Sequence, residues 1–429
     1  MASTNRSGVL FQDVRIFDGK GSALSAPSDV LVKGNIIERI SAASITVEPS
    51  ITVVVGGGRT LMPGLIDAHT HMTFSTVPLP LFFTADPNYL MLRQGKAAGE
   101  MLMRGFTSAR DMAGNSFGLK RAIDEGFIPG PRIWPSGAGI SQTSGHGDFR
   151  TLHQLPRAPC DALHFSEKMG AMIIADGADE VLRRTREQLM LGASQVKLMA
   201  GGGVASNYDP LDVSQFTEVE MHAAVEAAEN WGTYVTVHAY TSRAIQQAIR
   251  AGVKCIEHGH LADETTARIM AEKGIWWSLQ PFLDDEDAIV FPEDSTNRKK
   301  LMQVTNGMDD AYKLAKKHRI NTAWGTDTLF DQKLATRQGA QLAKLVRWYK
   351  PAEVLKMATA DNAELLALSG LRSPYEGKLG VVKEGALADL LLVDGNPLAD
   401  IKLIEDPANN FLLIMKDGRI YKDLAQDYQ

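Results

Sequence analysis

The sequence predicts an α/β chain: a (β/α)8 TIM barrel with a small β-sandwich domain that both termini build together. Two observations carry this. The middle of the chain alternates short apolar strands with amphipathic helical patterns or long loops through eight units. Both ends instead alternate apolar and polar residues with period two, broken by Gly- and Asn-containing turns. Residues 1–60 and 372–429 are therefore assigned to the composite β-domain, and residues 61–371 to the barrel.

Taken in order, "VLFQDVRIFDG", "DVLVKGNIIERISA" and "ITVVVGGGRTLMPG" read as antiparallel strands. Eight candidate barrel strands follow: "GLIDAHTH", "GFTSARD", "PRIWPSG", "SQVKLMA", "TYVTVHAY", "KCIEHGH", "IWWSLQP" and "NTAWGTDT". Helical spacing marks "YLMLRQGKAAGEMLMRG", "ADEVLRRTREQLMLG", "EVEMHAAVEAAENWG" and "TARIMAEKG" between them. The methionines of the first helix are expected to pack in the core. "GKLGVVKEGALADLLLVDG" and "FLLIMKDGRIYKD" return to the β pattern. A doubly wound sheet is the competing arrangement. No Gly-rich fingerprint follows the first strand, however, and eight units is the barrel number.

Composition narrows the partners. With 44% hydrophobic and 22% charged residues, the 429-residue chain has ordinary globular usage. A net charge of −6 without a basic patch argues against nucleic acid. Cys160 and Cys255 are far apart, which excludes a disulfide scaffold and suits a reducing compartment. No segment approaches the roughly 18 apolar residues of a membrane span, and no signal peptide is evident in this sequence. A cytoplasmic location is expected.

The candidate chemistry sits at the C-terminal ends of the barrel strands, where such folds carry reactive groups. The first strand ends in His69 and His71, which share one face because strand residues i and i+2 do. Lys197 stands on the fourth strand, His238 on the fifth, His258 on the sixth and Asp327 on the eighth. Each alone has a plainer reading. A strand histidine is commonly a hydrogen-bonded core residue, a strand lysine a misjudged edge, and a strand-end aspartate a helix cap. Together, six ligand-capable residues at one mouth point to a metal site. A protonated Lys197 cannot bind a cation. Its neutral amine can combine with carbon dioxide, giving an N6-carboxylated lysine whose two oxygens bridge two metals. His69 and His71 would then serve one metal with Asp327, and His238 and His258 the other.

"PGLIDAHTH", the strand-four lysine, one histidine on each of strands five and six, and "GTD" on strand eight resemble the metal-dependent amidohydrolase superfamily. "GALADLLLVDGNPL" agrees with it. "GHGD", "KLMAGGGVAS" and "VHAYTS" resemble its Xaa-Pro dipeptidase-like and imidazolonepropionase-like branch, and within that the bacterial amidohydrolases that degrade ochratoxin A. The resemblance implies a homo-oligomeric hydrolase with two divalent metal ions, zinc suiting the ligands best. It implies attack by a metal-bridging hydroxide on an amide of an N-acyl amino acid or dipeptide. Asp327 would accept the attacking proton and pass it to the leaving nitrogen. Cyclic-amide hydrolysis is the alternative chemistry, and a non-catalytic scaffold is the alternative from outside enzymology; the full ligand set argues against the scaffold.

Further residues are read with two meanings each. Tyr240, two residues after His238, either faces the mouth or packs at the rim. His146 in "SGHGD" either reaches the pocket or lies on a surface loop. The resemblance makes both substrate-binding candidates. His260 is taken as a neighbour of His258, and Gly201–Gly203 as a loop allowing close backbone approach, since no "GK[ST]" follows. Arg110 and Asp111 are read as a rim ion pair or as support behind the ligands. The acidic "FLDDEDAIVFPEDSTN" is either a mobile lid or a solvated insertion.

Overall fold

The computed structural model describes residues 8–156, 158 and 161–425. Cys160 lies outside them. The chain opens with β1 (Gly8–Ile16), β2 (Ser28–Lys33), β3 (Ile36–Ser41), β4 (Thr52–Val55) and β5 (Thr60–Pro63). The central strands are β6 (Leu65–Thr70), β7 (Phe106–Asp111), β8 (Arg132–Pro135), β9 (Gly139–Ser141), β10 (Met172–Ile174), β11 (Val196–Met199), β12 (Val235–Thr241), β13 (Cys255–Leu261), β14 (Trp276–Leu279) and β15 (Thr322–Trp324). β16 (Leu390–Val393), β17 (Phe411–Lys416) and β18 (Arg419–Asp423) complete the set.

All eight expected central strands are present, and every ladder among the central strands is parallel. They form a three-stranded sheet, β6-β7-β8, and a seven-stranded sheet, β10-β9-β11-β12-β13-β14-β15. These strands are buried almost throughout, as parallel strands covered by helices on one face and packed on the other must be. β9 and β10 were not anticipated. Each is three residues long, too short for any periodicity to register.

The two chain ends meet in one eight-stranded sheet of order β18-β17-β16-β5-β1-β2-β3, with β4 beside β1. Most of its ladders are antiparallel, as expected, but β1 runs parallel to β4 and β5. Its apolar face includes Phe11, Val30, Leu61, Leu392 and Leu413. Arg132 on β8 reaches across to Asp389 at 2.9 Å and Asp417 at 2.6 Å, tying this sheet to the central strands.

The expectation for the methionine-bearing helix Pro87–Met103 needs correction. Met101 is buried, but Met91 and Met103 are more than a third exposed, because the helix lies on the surface and buries only one stripe. Among the described residues, no helix is long and apolar enough to cross a membrane.

Candidate functional site

The six residues expected at the strand ends all line one cleft of about 790 Å³, measured to its open mouth. His69, His258 and Asp327 are the tightest group, offering ligand atoms within 4.8 Å of one another. His71 Nε2 lies 2.9 Å from Asp327 Oδ1. The His238 ring is 4.6 Å from that of His258. The tight triple thus takes one histidine from each of the two expected pairs.

Local backbone explains the convergence. Register places His238 beside Glu257 and Ala239 beside His258. In a regular strand Glu257 and His258 would face opposite sides. His258 instead has φ 72°, and the register shifts after Ala239, so both neighbours serve the same site. Asp327 also has positive φ, 50°. Such conformations cost energy in non-glycine residues and collect at functional positions. Gly325 permits the approach of this segment to β6: a Cβ there would lie 2.3 Å from His69 N. Asp327 N then donates to His69 O at 2.7 Å. Asp67 fastens the same junction, accepting from His69 N, Thr326 N, Thr326 Oγ1 and Gln338 Nε2.

Burial sets the protonation states. It holds His71 below its usual pKa, and His238 and His258 well below it, so these imidazoles are neutral and have lone pairs to offer. For Asp327 burial opposes ionisation, but the surrounding histidines overcome it and hold the carboxyl well below its usual range. The His69 Nε2 atom is buried and has no hydrogen bond; Asp327 Oδ1, at 3.3 Å, lies outside bonding geometry. Lys197 is 1% exposed, and among the described residues no hydrogen bond or ion pair holds its amine. Burial lowers it to about 8. An unpaired buried ammonium is costly, so the neutral amine is readily reached. These orphaned donor atoms fit a metal centre.

Sequence reasoning missed Glu257. It is fully buried, and its Oε2 accepts from His69 Nδ1 at 2.8 Å. Its Oε1 takes Arg110 Nη2 at 2.7 Å and Thr236 Oγ1 at 2.5 Å. Arg110 is thus a support behind a ligand candidate, not a rim residue, and its partner is Glu257 rather than Asp111. Asp111 instead accepts from Met72 N at 2.9 Å, and burial raises it to about 7. The available signal was an acid at the centre of the strand segment "KCIEHGH". Gln280 was missed too; its Oε1 lies 2.7 Å from His258 Nδ1.

His146 and Tyr240 both line the cleft. His146 stacks on His238 at 4.1 Å, with Nδ1 2.5 Å from Ser206 Oγ. Gly203 gives it room, since a Cβ there would lie 1.9 Å from His146 Nδ1. Tyr240 is buried and stacks on His258 at 5.2 Å. His260 stays beside it, 3.0 Å from Gln280 O. The outer wall is apolar, with Phe74, Phe149, Phe330 and Met172. From the acidic segment, Phe282 and Ile289 also face the cleft. Its acids are held by Lys344 to Asp285 at 2.7 Å and Arg298 to Asp284 at 2.8 Å.

A parallel α/β fold whose strand ends gather histidines, a lysine and an aspartate defines a hydrolase class, and the chain belongs to the amidohydrolase family, whose model matches residues 60–421. It is a hydrolase acting on amide bonds. Among curated proteins it is similar to ochratoxinase of Aspergillus niger, 32% identical over 84% of this chain and 75% of that one. Among solved structures it is similar to a prolidase complexed with N-methylphosphonate-L-proline, at TM-score 0.87 and 31% identity, covering 97% of this chain and 100% of that one. A Xaa-Pro dipeptidase with bound methionine matches at TM-score 0.81 and 28% identity, covering 97% and 100%.

Proposed function

We propose that the protein is a binuclear metal-dependent amidohydrolase. Its substrates are N-acyl amino acids or dipeptides with an apolar or aromatic partner, ochratoxin A among them, cleaved to ochratoxin α and phenylalanine. The observation that carries this is an aromatic-walled cleft ending in buried histidines, Asp327 and Lys197, whose amine has no partner among the described residues. The likeness to an ochratoxinase and to a Xaa-Pro dipeptidase supports the same bond class.

His69, His71, Lys197, His238, His258 and Asp327 would hold two divalent cations, with Lys197 carboxylated on Nζ. Imidazole and carboxylate donors favour zinc. When bound, the cations supply Lewis-acid polarisation of the amide carbonyl and a water of lowered pKa. Asp327 takes the proton of the attacking water and returns it to the leaving nitrogen. His146 and Tyr240 bind substrate oxygens. The phenylalanines around the mouth seat the apolar group and exclude water.

The same reading has the parallel strands closing as a (β/α)8 barrel over residues 61–371, with residues 1–60 and 372–429 as a β-sandwich. Bonds from Asp327 N to His69 O and from Ser194 N to Pro135 O support closure between the two parallel sheets. The protein would act as a cytoplasmic homo-oligomer on small molecules.

The test is a panel of N-acyl amino acids, Xaa-Pro dipeptides and ochratoxin A, given to metal-loaded wild type and to Asp327→Asn. Release of amino acid by the wild type, with a loss of about 10²-fold or more in the variant, is expected. Equal rates in both would overturn the role of Asp327. No turnover of any linear amide would overturn the substrate class.

A further inference from the structure

His146 is held on more sides than a glycine-flanked loop requires. Its ring stacks on His238 with the two planes 18° apart. Its backbone N donates to Gln215 Oε1 at 2.9 Å. One nitrogen of the ring, Nδ1, lies 2.5 Å from Ser206 Oγ and 3.6 Å from Asp209 Oδ2. The other, Nε2, has no protein partner among the described residues, and the side chain lines the cleft.

The segment 203–209, which follows β11, supplies these contacts. It is closed by the helix Thr296–His318. Lys300 Nζ donates to Gly203 O and Ser206 O at 3.0 Å and to Asp209 O at 2.6 Å, so the three donors of its ammonium serve backbone carbonyls. Asn297 Nδ2 adds a bond to Val204 O at 2.6 Å. Residues 204–206 line the cleft, and Asp209, 1% exposed, does not. Its Oδ2 accepts from Gly203 N at 2.6 Å, which fixes the carboxylate in place. Among the described residues, His146 is the basic side chain at ion-pair distance from it. Burial opposes the ionisation of Asp209, but His146, Ser206 and the Gly203 amide together hold the carboxyl below its usual range. A buried carboxylate is costly unless it is met by donors. Lys300 and Asn297 already tie this segment to the helix, so the carboxylate is a further expense, and it is aimed at the ring of a cleft residue. A hydrogen-bonding partner on one imidazole nitrogen sets how the other is presented.

We propose that Asp209, together with Ser206, is a positioning residue for amide hydrolysis, holding the Nδ1 side of His146 so that Nε2 is presented to an oxygen of the bound substrate. The inference rests on the reading of His146 as a substrate-binding residue. It adds to that reading a carboxylate that does not touch the substrate and acts through His146 alone.

The experiment compares wild type, Asp209→Ala, His146→Ala and the double variant, each full-length and metal-loaded, on ochratoxin A. Crystal structures of wild type and Asp209→Ala accompany the kinetics. Asp209→Ala is expected to raise KM by about fivefold or more, with a smaller change in kcat. In the His146→Ala background the same change should alter KM by less than about twofold, because its route of action is gone. In the crystal the His146 ring should leave its stack on His238. An unchanged KM in Asp209→Ala would overturn the proposal. So would an equal rise in both backgrounds, which marks general damage to the loop, or a His146 ring that superimposes on that of wild type. His146→Ala with the KM of wild type would overturn the substrate role of His146 and the inference with it, which separates the two failures. The crystallographic comparison needs no turnover, so it decides the inference even where ochratoxin A is not cleaved. If Asp209→Ala fails to fold, Asp209→Asn and Ser206→Ala carry the same comparisons.

Discussion

Glu257→Gln offers the most searching test of how the site is held. Glu257 is wholly buried between Arg110 and His69, and its two oxygens serve both. The amide keeps the shape but removes the charge, leaving Arg110 buried with Tyr234 Oη and Ala68 O. Breaking a buried pair in this way costs about 3–5 kcal/mol. At an unfolding entropy of about 2.1 cal/mol/K per residue, the 429-residue chain loses about 0.9 kcal/mol per degree, so Tm falls by about 3–6 °C. A second effect reaches the ligands. His69 Nδ1 donates to the Glu257 carboxylate, which directs its Nε2 lone pair into the cleft. Loss of such a carboxylate weakens metal affinity by about 10–100-fold. Calorimetric unfolding of the metal-free protein and competitive chelator titration read the two effects separately. Arg110→Met combined with Glu257→Gln should destabilise by less than the sum of the single changes, because no charge is then stranded. A Glu257→Gln protein that melts within about 1 °C of wild type and retains metal equally well would refute this account.

Other expectations follow from the same geometry. Lys197→Met should bind metal poorly and lose hydrolysis, and ¹³C NMR of wild type in labelled bicarbonate should show a carbamate carbon absent from the variant. Gly203→Ala places a Cβ 1.9 Å from the His146 ring, so His146 must leave its stack on His238; KM should rise several-fold, with a smaller change in kcat. For the metal-free protein, His71, His238 and His258 have pKa values below 6.5 when folded, so the unfolded chain binds protons first as pH falls. Stability is therefore complete above about pH 6.5 and declines below it, by up to about 1.4 kcal/mol per pH unit for each histidine. Urea denaturation at pH 7.5 and pH 5.5 checks the sign.

The site was legible because its chemistry depends on residue types that are costly to bury without a purpose. A lysine in "QVKLMA" and a histidine in "VTVHAY" stand out against apolar strands, and the structure brings both to one cleft. Arg110 and Asp111 were read as a possible pair from adjacency, but on a strand adjacent residues face opposite ways, and each found other partners. Glu257 went unnoticed for a related reason. Alternation places it away from His258, and only the positive φ at His258 brings both inward, a backbone event without a sequence signature. β9 and β10 were invisible because three residues cannot display a period. The parallel course of β1 against β4 and β5 depends on long-range pairing, which local alternation does not encode.

The sheet that joins the chain ends has a consequence for assembly in time. β5 ends at Pro63, paired with Leu390, and β6 with His69 begins at Leu65. The strand presenting the first two ligand candidates therefore hangs from a partner more than 300 residues downstream in the chain. During synthesis that partner arrives late, so until then β5 exposes an unpaired edge open to wrong pairings. The anchor of the strand that carries His69 is therefore completed only after every other ligand candidate, Asp327 included, has been made.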